Sequence, residues 1–530
     1  MTEIAPVLIG GEWLTSSEGA KFPVRDPRTG ERLGEYPVSD WPEVDRILAA
    51  SWAAYEALES ASWEDVARFL ERFADGLVDR GEAVCEKAAA ETGLAFSPRL
   101  HDVELPRTTR QLRLAADESR ARRWTQPTVS PETRIASMLR PIPGVVAVFG
   151  PSNFPLAFNA VSGGDAAAAL ATGHPVVAKA HPLHAGTSQM LAEIAHQAAY
   201  ETPRIPAAMV QLFYHSEPEV GKKLVGDDRI AASAFTGSRS GGLALKAAAD
   251  AVGKPMYLEM SSVNPVVVLA GAMEERPDQV AAALAGSATL AGGQFCTQPG
   301  LFITTDDATT SGFEGRLASE FAAAAQHPLL SPDVANGLEE RIRAVKERGI
   351  QVIASAELVD GEGAHFPSTL LKASGAQFLE WAEELQEEMF GPVSLLVSCT
   401  DVAEVLACVE RLEGNLTGTI YSASDHRDDE PYSAVARALG RRVGRLLNDK
   451  VPTGVEVVAG MNHGGPYPAT GHPGFTAVGV PASMRRFGML QSFDNVRDER
   501  LPEELRAANS LGLQRYVNSR WTDSVVVWGS

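Results

Sequence analysis

The sequence predicts an α/β protein with a doubly wound parallel sheet and a second α/β unit. Short apolar, β-branched runs alternate with helical segments between residues 144 and 271, and a similar alternation follows between 272 and 460. Glycine and proline residues occur at the boundaries between these segments. Such alternation forms parallel strands joined by right-handed crossovers. Ligands of these sheets bind beyond the carboxyl ends of the strands.

In the N-terminal part of the chain, the sequence predicts strands and turns over residues 1–40, followed by helices. Apolar residues recur on one helix face within 41–90, at Val66, Phe69, Leu70, Phe73 and Leu77. A further helix is predicted over 100–120, and the polar segment 124–133 marks a boundary.

From residue 144 each predicted strand is followed by a helix. We expect strands at 144–150, 176–180, 209–214, 230–237, 256–261 and 266–271. We expect helices over the alanine-rich stretch before Gly173 and at 184–199, 218–226 and 238–250. For the second unit, the sequence predicts strands at 301–305, 351–355 and 393–398, and helices at 278–291, 333–347 and 401–412. From 485 the chain is strand-like, then charged and irregular.

Composition narrows the classes of function. The 530 residues include 47 basic and 68 acidic side chains, a net charge of −21, which argues against nucleic acid or an anionic membrane as a partner. The length indicates more than one domain. The four cysteines have no CxxC spacing, so we expect neither a disulfide framework nor a metal site. With no signal peptide or membrane span recognised, a cytoplasmic location is predicted.

Several polar residues follow predicted strands, where the sheet would present a ligand. Asn153, Lys179 and the pair Gly237–Ser238 occupy such positions. A glycine before a helix N-terminus offers free N–H groups to a phosphate, although an ordinary tight turn has the same pattern.

Cys296 and Glu259 stand out by their surroundings. Cys296 lies in a loop with glycines on both sides, which suits a nucleophile presented to a ligand, or a spare thiol in a turn. Glu259 lies in an apolar strand, which suits a general base with a raised pKa, or an ion-paired residue at a strand end.

Two features are weaker. Arg107, Arg110 and Arg113 recur every three residues, and we expect a solvated helix face rather than a site for a substrate carboxylate. The loop 461–474 holds two histidines and four glycines without metal-ligand spacing, and suggests a pocket lining.

Six motifs then occur in order along the chain: FGPSNFP (149–155), VVAKAHP (176–182), FTGS (235–238), LEM (258–260), GQFCTQPG (293–300) and EEMFGP (387–392). In order and spacing they closely resemble the aldehyde dehydrogenase superfamily over nearly the whole chain. Their particular forms look most like the branch of 2-oxoglutarate semialdehyde (2,5-dioxopentanoate) dehydrogenases and NADP-dependent long-chain aldehyde dehydrogenases.

The resemblance implies a hydrolytic aldehyde oxidation. Cys296 would attack the aldehyde, and Asn153 with the Cys296 backbone N–H would form the oxyanion hole. Hydride would pass to a nicotinamide and leave a thioester, which water activated by Glu259 would hydrolyse. Glu259 disfavours a CoA-acylating relative, and the presence of all three residues disfavours a non-catalytic binding protein.

The resemblance also assigns the remaining site residues. The dinucleotide would be held by Lys179, Gly237, Ser238, Gly242, Glu388, Phe390, Ser152, His181 and Pro182. The substrate pocket would involve Phe154, Arg110, Thr297 and His463. His463 would either assist proton transfer from Cys296 or have a role only in packing.

The expected coenzyme and substrate depend on positions where this sequence differs from its relatives. Pro182 stands where NAD-preferring relatives often carry a glutamate, so we predict NADP, with NAD possible. An arginine at the pocket mouth would favour 2-oxoglutarate semialdehyde, and an apolar mouth a long aliphatic or aromatic aldehyde.

The family fold implies the division of the chain and a homodimer or homotetramer. We expect a dinucleotide-binding domain (1–123 and 144–262), a catalytic domain (263–460), a small bridging β-sheet for oligomerisation (124–143 and 485–495) and a C-terminal tail (496–530).

Overall fold

The first sheet contains the buried apolar strands predicted before residue 262. The computed structural model describes residues 4–16, 19–305, 308–358 and 363–529. Residues 1–3 and 530, the ends of the predicted dinucleotide domain and tail, lie outside this part. Across the sheet the strands are Met256–Glu259, Ile230–Thr236, Val145–Phe149, Val176–Lys179, Val210–Phe213, Val7–Ile9 and Glu12–Leu14. The pairing is parallel from Met256–Glu259 to Val210–Phe213.

The order of these strands creates a switch point. Val145–Phe149, first of the parallel strands in the chain, lies between Val176–Lys179 and Ile230–Thr236. The connections therefore leave this centre in opposite directions, and a crevice forms beyond the carboxyl ends of the two neighbouring strands. Residues 150–153 and 237–238 follow those two strand ends.

The second sheet lies in the chain after residue 262. Across it the strands are Gln351–Ser355, Thr369–Ser374, Val393–Cys399, Leu301–Thr305, Val266–Val268, Asn415–Tyr421 and Val443–Asn448. Only the first of these pairs antiparallel among the described strands. The strand predicted at 266–271 was assigned to the first sheet, which is wrong: Val266–Val268 pairs with Leu301–Thr305 and Asn415–Tyr421.

A third sheet contains both segments predicted to bridge subunits. Gly488–Asp494 pairs with Ile135–Pro141, which pairs with Thr128–Ser130. The prediction of an irregular tail is wrong in part, because Arg515–Val517 and Arg520–Thr522 extend this sheet. Strands this short carry too little periodicity to be recognised in a charged sequence. A separate hairpin pairs Lys21–Arg25 with Arg32–Pro37.

Helices cover the sheets. The longer ones are Trp41–Ala57, Trp63–Asp79, Gly81–Thr92, Leu105–Ala121, Ala185–Tyr200, Arg239–Asp250, Pro277–Thr289, Ala308–Ala323, Pro332–Glu347, Val402–Arg411 and Asp429–Leu439. The shorter ones are Gly164–Ala171, Pro218–Val225, Ala270–Glu275, Gly375–Glu380, Ala382–Leu385 and Ala482–Arg485. Among the described helices, none combines the length and apolar character required to cross a bilayer.

Candidate active site

A cavity of about 760 Å³ reaches Cys296. Its walls come from helix Leu105–Ala121, the loop after strand Val145–Phe149, the Cys296 loop and residues 450–461. The predicted pocket residues Phe154, Arg110 and Thr297 line it. Further aromatic and cationic residues do so as well, among them Arg107, Phe158 and Phe295.

The Cys296 loop is fixed by backbone contacts. The side-chain amide of Asn264 donates to the carbonyl oxygens of Cys296 and Gln298, each at 2.9 Å. Gly293 has a φ of +67°, and a Cβ there would lie 2.1 Å from the carbonyl oxygen of Gly391. The close approach therefore requires glycine at this position. These constraints hold the sulfur at the cavity while its backbone is tied to the second unit.

Cys296, His463 and Glu259 form a contiguous chain of polar side chains. The Nε2 atom of His463 lies 3.4 Å from Sγ of Cys296 and 2.8 Å from Oε1 of Glu259. Glu259 ends strand Met256–Glu259, and both Glu259 and His463 are 1% exposed. The loop holding His463 is anchored where the His463 N–H donates to Oγ1 of Thr476 at 2.9 Å.

One nitrogen of His463 therefore serves both neighbours. When Nε2 carries a proton it can donate to the Glu259 carboxylate, and when it does not it can accept the thiol proton. Burial raises the pKa of Cys296 well above its usual range; nearby Glu259 adds to this, while Arg107 opposes it. The thiol is thus protonated at rest and requires an adjacent acceptor before it can act as a nucleophile.

Asn153 is held beside the Cys296 loop. Its Nδ2 donates to the carbonyl oxygen of Gln294 at 2.9 Å. The same segment is clamped by Glu104, whose Oε1 accepts the backbone N–H groups of Leu156 and Ala157, both at 2.9 Å. Glu104 is fully buried, and its other oxygen accepts from Arg99. Helix Leu105–Ala121 and the Asn153 segment are therefore tied together.

The arginine row does not lie on one solvated face, and this expectation is wrong for Arg107. A step of three residues turns a helix by about 300°, so positions 107 and 113 differ by about 120°. Arg113 pairs with Asp75 at the surface, Arg110 is exposed at the cavity, and Arg107 turns inward. Its Nε and Nη2 atoms are buried without a hydrogen-bond partner in the described structure.

The predicted phosphate-binding residues lie at the switch-point crevice. Gly237 follows strand Ile230–Thr236, and Ser238 caps helix Arg239–Asp250, its Oγ accepting from the Gly241 N–H at 3.3 Å. Gly242 lies in the first turn of this helix and is buried against Phe235. Free N–H groups and the positive end of a 12-residue helix suit a pyrophosphate.

Lys179 and its neighbours lie one strand away. Burial lowers the pKa of Lys179 to about 8, and its amine has no partner among the described residues. Ser152 follows the adjoining strand. Pro182 begins a short helical turn, and Nδ1 of His181 accepts from the Leu183 N–H at 3.2 Å.

Glu388 and Phe390 come from the second unit. Burial raises the pKa of Glu388 to about 7, against the opposing effect of Ser261 and Ser262. These serines follow Glu259 closely in the chain, so Glu388 lies near Glu259, and Phe390 is half-buried two residues further on. An amine without a partner, a helix N-terminus and a buried carboxyl group fit the charges and hydroxyls of a nicotinamide dinucleotide.

Three contributors were not singled out from the sequence: Glu104, Arg99 and Arg445. Glu104 and Arg99 lie where the sequence has no regular periodicity, because the chain there forms the wide π-helical turn Phe96–Glu104. Arg445 lies in strand Val443–Asn448, which was not predicted. A glutamate directly before a helix, in a position that packing buries, was the available signal for Glu104.

The chain has close relatives among characterised proteins. It is 37% identical to alpha-ketoglutaric semialdehyde dehydrogenase 2 of Azospirillum brasilense, over 96% of this chain and 98% of the relative. It is 36% identical to alpha-ketoglutaric semialdehyde dehydrogenase of Acinetobacter baylyi, over 91% of this chain and 92% of the relative.

Solved structures share the fold. Lactaldehyde dehydrogenase from Escherichia coli superposes with a TM-score of 0.80 at 21% identity, covering 92% of this chain and 98% of the other. A variant of aldehyde dehydrogenase C from Pseudomonas syringae, solved with NAD+ and octanal, gives a TM-score of 0.79 at 21% identity, covering 92% and 96%. The sequence model of the aldehyde dehydrogenase family matches residues 13–465, and the chain belongs to this family of aldehyde-oxidising enzymes.

Proposed function

We propose that the enzyme oxidises an aldehyde bearing a distant carboxylate, with 2-oxoglutarate semialdehyde as the foremost substrate, to the free acid using NADP+ or NAD+. The names of the two relatives support this substrate, and the chain covers nearly all of their length. The observation that carries the proposal is the inward-facing guanidinium of Arg107.

Arg107 is a cation without a carboxylate partner at the wall of the cavity. Its Cζ lies 4.9 Å from the ring centre of Phe158 and 5.6 Å from that of Phe154. Arg99 also stacks on Phe154, at 4.3 Å, but its charge is paired with Glu104. An aromatic wall removes water and leaves one guanidinium to pair with an anionic end of the substrate.

Arg445 and Lys450 add positive charge to the cavity from the other unit. Arg445 donates through Nη1 to the carbonyl oxygen of Gly454 at 3.0 Å and through Nη2 to that of Pro452. Carbonyl oxygens do not neutralise a guanidinium, and the cationic side chains that line the cavity outnumber its two carboxylates, Asp102 and Glu456, so the cavity has a positive field despite the acidic chain. This field favours a carboxylated aldehyde over the long aliphatic alternative.

The reaction begins at Cys296. His463 accepts the thiol proton through Nε2, and the carboxylate of Glu259 stabilises the imidazolium that results. The thiolate adds to the aldehyde carbon. Asn153 Nδ2 and the Cys296 backbone N–H donate to the oxygen on which negative charge develops. The segment clamped by Glu104 keeps the amide in place.

Glu259 then serves the second half of the reaction. A nicotinamide held in the crevice would supply the hydride acceptor, and loss of hydride from the thiohemiacetal would leave a thioester on Cys296. Glu259, directly or through His463, takes a proton from the water that hydrolyses it. The free acid leaves and the thiol regains its proton.

The dinucleotide would be held by the crevice residues. Gly237 and Ser238 would donate to the pyrophosphate, and Gly242 allows the helix to lie close against Phe235. Lys179 would contact the adenosine ribose, supported by Ser152, His181 and Pro182. Glu388 would accept from the nicotinamide ribose, with Phe390 packing nearby.

We further propose a homodimer or homotetramer in the cytoplasm. The third sheet exposes large apolar side chains, including Leu490 at 68% and Trp521 at 60%. Such a sheet face is typical of an interface between subunits. All four cysteines are free thiols, which supports a reducing compartment.

Replacing Arg107 by Met tests the substrate class. The kcat/KM for 2,5-dioxopentanoate and for 5-oxopentanoate falls about 30-fold or more, because losing one partner of a buried charge pair costs about 2 kcal/mol or more. Pentanal, of equal length but uncharged, keeps its kcat/KM within about threefold, as expected where no charge pair is lost. The rate of oxidation of each of the three substrates is measured from the absorbance of the NAD(P)H formed.

Arg113→Met is the matched control, since Arg113 lies on the same helix, pairs with Asp75 at the surface and does not line the cavity. Equal losses for pentanal and the two acids would assign Arg107 to packing. A wild-type preference for long uncharged aldehydes would replace the proposed substrate with the alternative.

Replacing Glu259 by Gln separates the two half-reactions. The first turnover of NAD(P)H persists at a reduced rate, because the His463 imidazolium loses its carboxylate partner, while steady-state kcat falls about 100-fold or more, as expected for loss of a general base. His463→Gln slows the burst itself, because the thiol loses its proton acceptor. Stopped-flow absorbance resolves the two phases. A Glu259→Gln enzyme with no burst would contradict the role given to Glu259.

The affinity for NADP+ relative to NAD+ decreases as pH rises above about 8. Lys179, with its pKa near 8, then loses the positive charge that attracts a 2′-phosphate, which stays doubly negative above its pKa of about 6. Neighbouring His181 and His215 have lowered pKa values and are neutral throughout. Dissociation constants from fluorescence titration between pH 7 and 9.5 measure the ratio.

The Lys179→Met variant provides the comparison. The ratio of its affinities for NADP+ and NAD+ stays constant between pH 7 and 9.5. A wild-type ratio independent of pH, or a strong NAD+ preference at pH 7, would contradict the placement of Lys179 beside an adenosine ribose that carries a 2′-phosphate.

A further inference from the structure

Three ligand atoms of different chemistry meet at the base of the cavity. One atom each from Glu259, Cys296 and His463 lies within 4.8 Å of the other two. A thiolate, an imidazole and a carboxylate are the donors that Zn2+ accepts. The three come from separate segments of the chain, so their spacing along the sequence gave no sign of a metal site.

A second observation points to a ligand at this place. The Oε2 atom of Glu259 is buried and has no hydrogen-bond partner in the described structure. A buried carboxylate oxygen without a donor is costly, and a cation within reach would offset that cost. His463 satisfies only the other oxygen, Oε1.

The two distances from Nε2 of His463 are close to those between ligands of a tetrahedral ion, and the third, from Sγ to the carboxylate, is within 4.8 Å. Ligands bound to Zn2+ at about 2.0–2.3 Å lie about 3.4–3.6 Å from one another. Sγ of Cys296 is already 3.4 Å from Nε2 of His463, and the 2.8 Å from Nε2 to Oε1 of Glu259 must open by about half an ångström. Mg2+ and Ca2+ prefer six or more oxygen ligands and fit poorly.

We propose that Glu259, Cys296 and His463 form a binding site for a thiophilic divalent cation, Zn2+ above all, that holds the enzyme in a reversible inactive form. The ion displaces the thiol proton and bonds to Sγ, so one proton is released and no electron is transferred. The fourth position faces the cavity, where a water or a substrate oxygen can bind. The inactivation follows from the proposed role of Cys296, whereas the binding site itself stands on geometry.

Cobalt titration of the full-length protein, freed of metal with a chelator, tests the site without an activity measurement. Co2+ gives the near-ultraviolet thiolate charge-transfer band and the visible bands of a tetrahedral ion, saturating at one equivalent. Cys296→Ser abolishes the charge-transfer band, and Glu259→Gln and His463→Gln each weaken binding at least tenfold. Cys85→Ala, which removes a buried thiol elsewhere, leaves the spectrum unchanged.

Protection from alkylation gives the second measurement. Zn2+ slows the reaction of Cys296 with iodoacetamide at least tenfold, and EDTA restores the rate. Absence of a cobalt spectrum, a thiolate band that survives in Cys296→Ser, or an alkylation rate unaffected by Zn2+ would overturn the proposal. A bound ion in a protein that oxidises no aldehyde would refute the proposed function and leave the metal site standing.

Discussion

The site depends on one imidazole nitrogen placed between a thiol and a carboxylate. Nε2 of His463 lies 3.4 Å from Sγ of Cys296 and 2.8 Å from Oε1 of Glu259, and both His463 and Glu259 are buried, while Cys296 is half-buried at the cavity. Burial alone would keep the thiol protonated. A neutral acceptor backed by a carboxylate allows the proton to leave, and the ion pair that forms is stabilised more strongly than it would be in water.

Charge balance around the cavity explains why Arg107 is available to a substrate. Glu104 is shared between Arg99 and two backbone N–H groups, so its charge is largely committed to holding the Asn153 segment. Arg107, one turn along, is left without a carboxylate. The same buried glutamate thus orders the oxyanion side of the site and leaves the substrate side positive, which links positioning to specificity through one residue.

The sequence predicts the central fold well because its strands are apolar and bounded by glycine and proline. The strands Leu301–Thr305 and Gln351–Ser355 have the predicted limits, and the other predicted strands differ by a few residues. Strands Asn415–Tyr421 and Val443–Asn448 were missed. Asn415–Tyr421 mixes polar and apolar residues, and its buried Asn415 accepts the Val263 and Asn264 N–H groups, which is a tertiary role that local pattern does not reveal.

Some residues of the site can be recognised from their local sequence, whereas others can be recognised only from their tertiary contacts. Cys296 and Glu259 could be selected because each conflicts with its local surroundings, a reactive group in a glycine loop and a charge in an apolar strand. Arg107 and His463 obey local rules, one on a polar helix and the other in a polar loop. Their importance arises when helix Leu105–Ala121 and the loop after residue 460 pack onto the switch-point sheet. A polar side chain acquires function when packing removes its water without supplying a partner, and only the assembled fold determines where that happens.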